Sequence, residues 1–113
     1  MIIFGYSHGG GSTYIVAKYL LDNGLATENT VVYTAYTDAV KNTFPWFTPE
    51  TRRPPYSNYL TNRYQTNTFI PHGTSISDTE DESDLTNLGL THRTIDDDNV
   101  KDNITSHILL YSP

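Results

Sequence analysis

The spacing of hydrophobic residues changes its period within the first third of the chain. Residues 2–6 form a short run of mostly large apolar side chains, which is typical of a strand buried on both faces in a parallel sheet. From about residue 10 to residue 21, apolar side chains recur at helical spacing and an Asp-Asn-Gly stop follows, which predicts a helix. Residues 31–37 are rich in β-branched and aromatic side chains and predict a second strand. This order predicts two parallel strands joined by a right-handed crossover.

The pattern is weaker in the rest of the chain. Prolines interrupt residues 41–58, so we expect this stretch to be irregular. Residues 59–65 alternate weakly and predict a third strand, whereas residues 74–90 contain an acidic run and are expected to form a solvated surface loop. From about residue 97 to 111, one apolar stripe predicts a terminal helix. Asp96, Asp97 and Asp98 suit the N-cap and the positive end of its dipole.

Length and composition predict a single α/β domain, residues 1–113, with a modest core. Only 36% of the 113 residues are hydrophobic, so nine tyrosines have to contribute much of the buried ring surface. The net charge of −6 argues against a nucleic acid or an anionic membrane as partner. The absence of cysteine excludes disulfides and thiolate chemistry, and we expect no metal or cofactor.

Two further absences bear on location. No apolar run reaches the length that spans a membrane, so we expect no integral membrane association. The first residues lack the basic region and cleavage site of a signal peptide. The default expectation is a soluble, cytoplasmic protein, although the sequence does not establish its location.

The predicted first strand and helix are joined by Gly5-Tyr6-Ser7-His8-Gly9. This is a G-x-S-x-G sequence at a sharp turn between a strand and a helix, the position in which the motif indicates a nucleophilic serine. At such a turn the serine is strained and its hydroxyl is raised above the strand end. Small residues two before and two after it let the backbone pass close. We therefore predict that Ser7 is a nucleophile and that the backbone N–H of His8 is an oxyanion donor. The glycine run lacks a P-loop lysine, and tight packing of helix on strand explains it better.

A serine hydroxyl needs a base that takes its proton and a third group that orients the base. His92 lies in a loop shortly before the terminal helix and is the preferred base, while His72 stays an alternative. Asp38 directly follows the second strand, which places it at the same sheet edge as Ser7, and the order Ser…Asp…His fits an α/β-hydrolase. The other candidate acids are Asp78, Asp84 and the run Asp96 to Asp98.

Other side chains are open to two interpretations. Trp46 and Phe47 stand in a proline-rich stretch, where aromatic side chains either cover the edge of a core or line a substrate-binding mouth. We assign them, with Tyr6, as candidate substrate-binding residues. Arg52 and Arg53 either bind an anion or form salt bridges, and the second interpretation is preferred.

With these residues in hand, the chain resembles the C-terminal half of an α/β-hydrolase of the lipase/esterase type. The resemblance covers essentially the whole chain and rests on Gly5-Tyr6-Ser7-His8-Gly9-Gly10, on residues 34–40, on Leu90-Thr91-His92 and on Ile95-Asp96-Asp97. It implies a truncated α/β-hydrolase-like parallel sheet of about three to four strands, with a nucleophile-elbow helix and a C-terminal helix.

The same resemblance implies a function for these residues. Ser7 would be the nucleophile, His92 the base and Asp38 the acid of a serine esterase that forms an acyl-enzyme with a small-molecule ester. Some lipases of this fold carry their acid after the strand next to the nucleophile strand, which supports Asp38.

The sequence departs from this family before the elbow. A complete hydrolase has several strands and two helices there, including the loop with the second oxyanion donor. If Met1 is the start, the strand Ile2–Tyr6 is left at a sheet edge, and we expect it to pair with another chain in a homo-oligomer. The alternative function is an inactive or weakly active half-domain that assembles with itself or with a missing N-terminal half.

Overall fold

The first strand leads straight into a helix and the chain returns parallel to it. In a computed structural model, which describes residues 1–28, 30–43, 46–95 and 98–111, β1 (Ile2–Tyr6) is followed by α1 (His8–Asp22) and β2 (Tyr33–Thr37). The strands β1 and β2 pair in parallel, with Ile2 opposite Tyr33. The predicted strand–helix–strand unit is therefore confirmed.

The stretch expected to be irregular contains a hairpin. β3 (Val40–Thr43) pairs antiparallel with β4 (Trp46–Pro49), so the prediction for residues 41–58 is wrong over most of the hairpin. Pro49 is tolerated because it lies at the end of β4, where a missing N–H removes little from the ladder. The N–H of the next residue, Glu50, donates to the carbonyl of Ala39 at 2.9 Å and continues the pairing.

Two more parallel strands complete the sheet. β5 (Leu60–Tyr64) confirms the strand predicted over residues 59–65 and pairs with β2, and β6 (Asp81–Asp84) pairs with β5. The strand order is β1-β2-β5-β6, which confirms a parallel sheet of three to four strands. The prediction of a surface loop over residues 74–90 is wrong at β6 and at a 3₁₀ turn, Thr86–Leu88.

The acidic run can form a strand because its carboxylates are paired. Arg63 donates to Asp81 at 2.7 Å, and the side-chain amide of Asn62 lies 3.3 Å from Glu82. Just before the strand, Glu80 accepts from Arg53 at 2.7 Å. These contacts replace the hydration that a solvated acidic face would have.

The terminal helix α2 (Asp98–Tyr111) packs toward β2 and confirms the predicted helix. The expected capping by Asp96 to Asp98 lies outside what the structure describes, because Asp96, Asp97 and the side chain of Asp98 are not among the described parts. With 15 and 14 residues, α1 and α2 are too short to cross a bilayer, and the described ranges contain no longer apolar helix.

The core is small and divided. One cluster lies where β2 meets β5, and the other joins the segment after β6 to α2. Their buried members are Tyr36, Ala39, Leu60 and Ile76 in the first, and Leu85, Ile95 and Val100 in the second. All five side chains of β2 are buried, which fits its central place in the sheet.

Candidate active site

The turn between β1 and α1 places Ser7 in a strained conformation. Ser7 has φ 56° and ψ −126°, a region that non-glycine residues seldom adopt. Hydrogen bonds hold it there: its N–H donates to the carbonyl of Thr37 at 3.0 Å. Its own carbonyl accepts from the N–H groups of Gly10 at 3.0 Å and Val40 at 2.9 Å. The backbone on three sides therefore determines where the Ser7 side chain points.

The glycines around the turn differ in how closely they are packed. A Cβ on Gly5 would lie 2.3 Å from the carbonyl oxygen of Gly9, and one on Gly10 would lie 2.2 Å from Cβ of Ala39. These distances confirm close approach before the serine and tight packing of the helix. A Cβ on Gly9, however, would meet nothing within 4 Å, so the expectation that Gly9 is needed for close passage is wrong.

The structure brings Ser7, His92 and Asp38 into one hydrogen-bonded series. Nε2 of His92 lies 2.7 Å from Oγ of Ser7, and Nδ1 of His92 lies 2.6 Å from Oδ2 of Asp38. One tautomer satisfies both contacts: Nδ1–H donates to the carboxylate, and the serine hydroxyl donates to Nε2. Ser7 stands at the N-cap of α1 but its hydroxyl makes no capping bond to the helix.

Asp38 is completely buried and its carboxylate is surrounded by donors. It follows β2 at φ 47° and accepts from the N–H of Gly73 at 2.6 Å, from Nε2 of Gln65 at 2.7 Å and from the N–H of Gln65 at 3.3 Å. Gln65 is also fully buried, and its Oε1 accepts from the N–H of Thr68 at 2.8 Å. The amide is thereby oriented with its donor toward Asp38.

Sequence reasoning missed Gln65 and Gly73. A signal for Gln65 existed, because it closes the third predicted strand while Asp38 follows the second, and parallel strands end at the same edge. Gly73 offered no comparable signal, since it lies in an irregular segment. Its backbone passes so close that an added Cβ would lie 3.1 Å from Oδ1 of Asp38.

His92 is held from two directions. Its N–H donates to Oγ1 of Thr68 at 3.0 Å, and the ring of Tyr6 stacks on its imidazole with the centroids 5.1 Å apart. The hydroxyl of Tyr6 donates to the carbonyl of His92. Tyr6 was assigned to substrate binding, and the structure places it against the candidate base. The side chain of His92 is only 12% exposed.

The backbone of His8 opens α1. Its N–H is one of the first four of the helix, which have no acceptor within the helix, and it lies at the positive end of the helix dipole. No acidic residue stands in the first turn to offset that end. The His8 ring meets the ring of Phe47 edge to face, at 5.5 Å between centroids.

The two remaining candidate substrate residues lie on β4. Phe47 is 44% exposed and touches the site through His8, while Trp46 is 62% exposed and pairs with Thr43 at the turn end of the hairpin. Both present aromatic surface to solvent, and Phe47 does so beside His8. Their role in substrate binding stays a prediction.

The alternative site residues have other partners. Nδ1 of His72 lies 2.6 Å from the carbonyl of Gly73, and the carboxylate of Asp84 accepts from the N–H of Thr86 at 3.0 Å. Asp78 has φ 61°, and its carbonyl accepts from a guanidinium. The series that contains Ser7 therefore uses none of these three candidates.

Both arginines of the loop after β4 form salt bridges, as preferred from the sequence. Arg52 donates to Glu50 from Nε at 2.8 Å, and this bond raises the pKa of Arg52. Arg53 donates to Glu80 at 2.7 Å. Burial alone raises the pKa of Glu80, but the hydrogen bonds from Arg53 and from the N–H of Leu60 outweigh it and lower the pKa below 4.5.

No family model, no curated protein and no solved structure matches the chain. Over the described ranges, no three His, Asp or Glu side chains come together as a metal site would require.

Proposed function

We propose that this chain is a serine hydrolase that cleaves carboxylic esters through an acyl-enzyme on Ser7. The hydrogen-bonded series from Ser7 through His92 to Asp38, with contacts of 2.7 and 2.6 Å, carries the proposal. A base that accepts from a serine hydroxyl and is oriented by a buried carboxylate is the arrangement that activates serine in unrelated hydrolases. The strained backbone of Ser7 adds support, because such strain persists where surrounding contacts impose it.

Each residue has one task in the reaction. Oγ of Ser7 attacks the carbonyl carbon of the ester while Nε2 of His92 takes its proton, and Asp38 stabilises the imidazolium that forms. The oxygen that gains the charge lies near the N–H of His8. Protonated His92 then gives its proton to the leaving alkoxide as the carbon–oxygen bond breaks. Water attacks the acyl-enzyme, His92 takes a proton from it, and Ser7 leaves with that proton as the acid is released.

We further propose that the fold is the later half of an α/β-hydrolase. The nucleophile lies between a parallel strand and a helix, the acid follows the neighbouring strand, and the base precedes the last helix. The N–H of His8 is the oxyanion donor that the turn after β1 supplies. A second donor would lower the barrier by about 2.7–4 kcal/mol, so the rate of turnover depends on whether another backbone or side-chain N–H reaches the same oxygen.

Covalent labelling tests the nucleophile directly. A fluorophosphonate probe should label the wild-type chain once, at Ser7, and Ser7→Ala should abolish the label. Ser12→Ala is the matched control, because Ser12 is an exposed hydroxyl on the same helix and its Oγ faces the carbonyl of His8 at 3.4 Å. A folded wild-type chain that stays unlabelled at high probe concentration contradicts the proposal.

The exposed edge of the sheet favours a second candidate function. In this alternative the chain is a half-domain that assembles with another chain and has no turnover. β1 is the last described strand on its side of the sheet, and its Phe4 side chain is 65% exposed. The N–H of Ser7 donates to β2, and the hydrogen-bonding groups of successive strand residues point to alternate sides of the strand. The backbone N–H and C=O groups of Ile2 and Phe4 therefore point away from β2, toward the open edge. We propose that a second copy of the chain pairs along this edge.

The mass in solution tests this pairing. Light scattering should give a dimer or a larger assembly for the wild type and a monomer for Phe4→Lys, since a charge on an edge strand opposes pairing. Lys101→Glu, an exposed change on α2, should leave the mass of the assembly unchanged. A wild-type chain that is monomeric at all concentrations contradicts the proposed pairing along β1.

A further inference from the structure

A cleft of about 370 Å³ lies between the first turns of α1, the hairpin strand β3 and the loop after β4. We call it the His8 cleft. The described residues that line it are His8, Gly11, Ile15, Lys41, Asn42 and Arg52. Its volume falls in the range of small-molecule sites, about 300–1,000 Å³. Ser7, Asp38 and His92 are not among these lining residues, but His8 directly follows Ser7 and so connects the cleft to the turn that carries the serine.

The charge of the His8 cleft is opposite to that of the whole chain. The chain carries a net charge of −6, yet the described lining includes two cationic side chains and none that is acidic. Lys41 lies on β3, and over the described residues no carboxylate forms an ion pair with it. The first turn of α1 adds the positive end of a helix dipole without an acidic side chain to offset it.

Arg52 is fixed in place at the wall of the cleft. Its Nε and Nη2 donate to the buried carboxylate of Glu50 at 2.8 and 2.9 Å, and its guanidinium lies over the ring of Tyr14, 3.8 Å from the centroid. The Glu50 side chain is fully buried, whereas that of Arg52 is 40% exposed. Glu50 therefore offsets much of the charge of Arg52 and holds its guanidinium in place, whereas the described ion pairs include none with Lys41.

We infer that the His8 cleft binds an anionic oxygen group, a carboxylate or a phosphate, on the substrate that Ser7 attacks. The inference rests on the proposed hydrolysis. The ester then has one end at Ser7 and His8 and a charged end that pairs with Lys41, with Arg52 as a preorganised second donor. Neutral aliphatic esters lack this contact and are the poorer substrates.

A binding experiment that needs no turnover tests the site first. Adipate and inorganic phosphate are titrated into the folded chain at constant ionic strength, and the backbone amide shifts of Gly11 and Lys41 are followed by NMR. We expect saturable shifts, with affinity about tenfold lower in Lys41→Gln, the effect of removing one charge contact. Lys101→Gln on α2 is the matched control and should bind like wild type. Shifts with adipate alone identify a carboxylate site, and shifts with phosphate alone identify a phosphate site.

A kinetic experiment then connects the cleft to the serine. The 4-nitrophenyl ester of hexanoic acid is compared with the mono-4-nitrophenyl ester of adipic acid, which has the same chain length and an added carboxylate. We expect a higher kcat/KM for the anionic ester, and this preference should fall about tenfold in Lys41→Gln. Lys41→Met, which keeps the aliphatic stem, replaces Lys41→Gln if that variant does not fold.

The two proposals fail in different ways. If both esters are hydrolysed at equal rates and neither anion binds saturably, the inference about the cleft is overturned and the hydrolase proposal stands. If neither ester is hydrolysed while an anion binds in a Lys41-dependent manner, the hydrolase proposal falls and the cleft stands as an anion site. Binding that is unchanged in Lys41→Gln overturns the assignment to the cleft.

Discussion

Gln65 joins two strand ends of the sheet and is the buried residue whose replacement tests the site most sharply. Its Nε2 donates to Oδ2 of Asp38 at 2.7 Å, and the same oxygen accepts from His92 at 2.6 Å. Its Oε1 accepts from the N–H of Thr68 at 2.8 Å. Gln65→Leu keeps a similar volume and removes both side-chain hydrogen bonds, while Gln65→Glu keeps the shape and replaces the donor with an acid.

The sizes of the two effects follow from these contacts. A hydrogen bond to a buried charged group contributes about 1.5–3 kcal/mol and a neutral one about 1 kcal/mol. Gln65→Leu removes one bond of each kind and should therefore lower the free energy of unfolding by about 2–4 kcal/mol. The loss is no larger because the N–H groups of Gly73 and Gln65 still donate to Asp38. In Gln65→Glu, a protonated acid donates as the amide did, and its ionisation adds a second negative charge beside Asp38. That charge favours the imidazolium form of His92, which cannot act as a base.

Fluorophosphonate labelling across pH separates this role from a loss of folding. The pH at which the labelling rate of Gln65→Glu reaches half its maximum should lie above that of wild type. Asn67→Asp is the matched control: it adds the same charge, but its amide faces the carbonyls of Thr86 and Leu90. A midpoint for Gln65→Glu equal to that of both wild type and Asn67→Asp would refute the reasoning.

Three other predictions concern the elbow, the base and acid stability. Gly9→Ala should keep the free energy of unfolding, measured by urea denaturation, or raise it by up to about 1 kcal/mol. Gly10→Ala should lower the free energy of unfolding by about 1–3 kcal/mol, because the added Cβ meets Ala39. Equal urea midpoints for Gly10→Ala and wild type contradict this. Tyr6→Phe should slow labelling less than Tyr6→Ala, which also removes the stacked ring; equal rates argue against stacking. The lowered pKa of Glu80 stabilises the fold above about pH 4.5, and this stability is lost as pH falls through the lower folded value. A urea midpoint unchanged from pH 6 to pH 3 contradicts it.

The relation between Ser7 and Asp38 could be predicted because it depends on local order. A strand, a helix and a second strand are continuous in the sequence, and parallel pairing brings their carboxyl ends to one edge. The residues that follow those two strands must then be neighbours. His92 needed an additional argument, namely its position before the terminal helix, and that argument came from resemblance rather than from periodicity.

The strand β6 and the paired acids could not be predicted, because their partners are distant in sequence. Arg53 and Glu80 are separated by 27 positions, and Arg63 and Asp81 by 18. A run such as Asp-Thr-Glu-Asp-Glu has the composition of a solvated face until those cations are placed beside it. The β3–β4 hairpin was missed for a related reason: prolines mark possible breaks, but Pro49 lies where β4 ends.

The three consecutive residues after β2 tie the nucleophile and its acid into one unit. Asp38 supplies the carboxylate, Ala39 lies where a side chain on Gly10 would stand, and Val40 donates its N–H to the carbonyl of Ser7. The strained turn of Ser7 is thus held by the segment that also carries the acid. A change in the packing of α1 against this segment must move Oγ and Oδ2 together relative to His92. The missing side chain at Gly10 therefore matters more for the site than the motif glycine Gly9, although only Gly9 belongs to the G-x-S-x-G sequence.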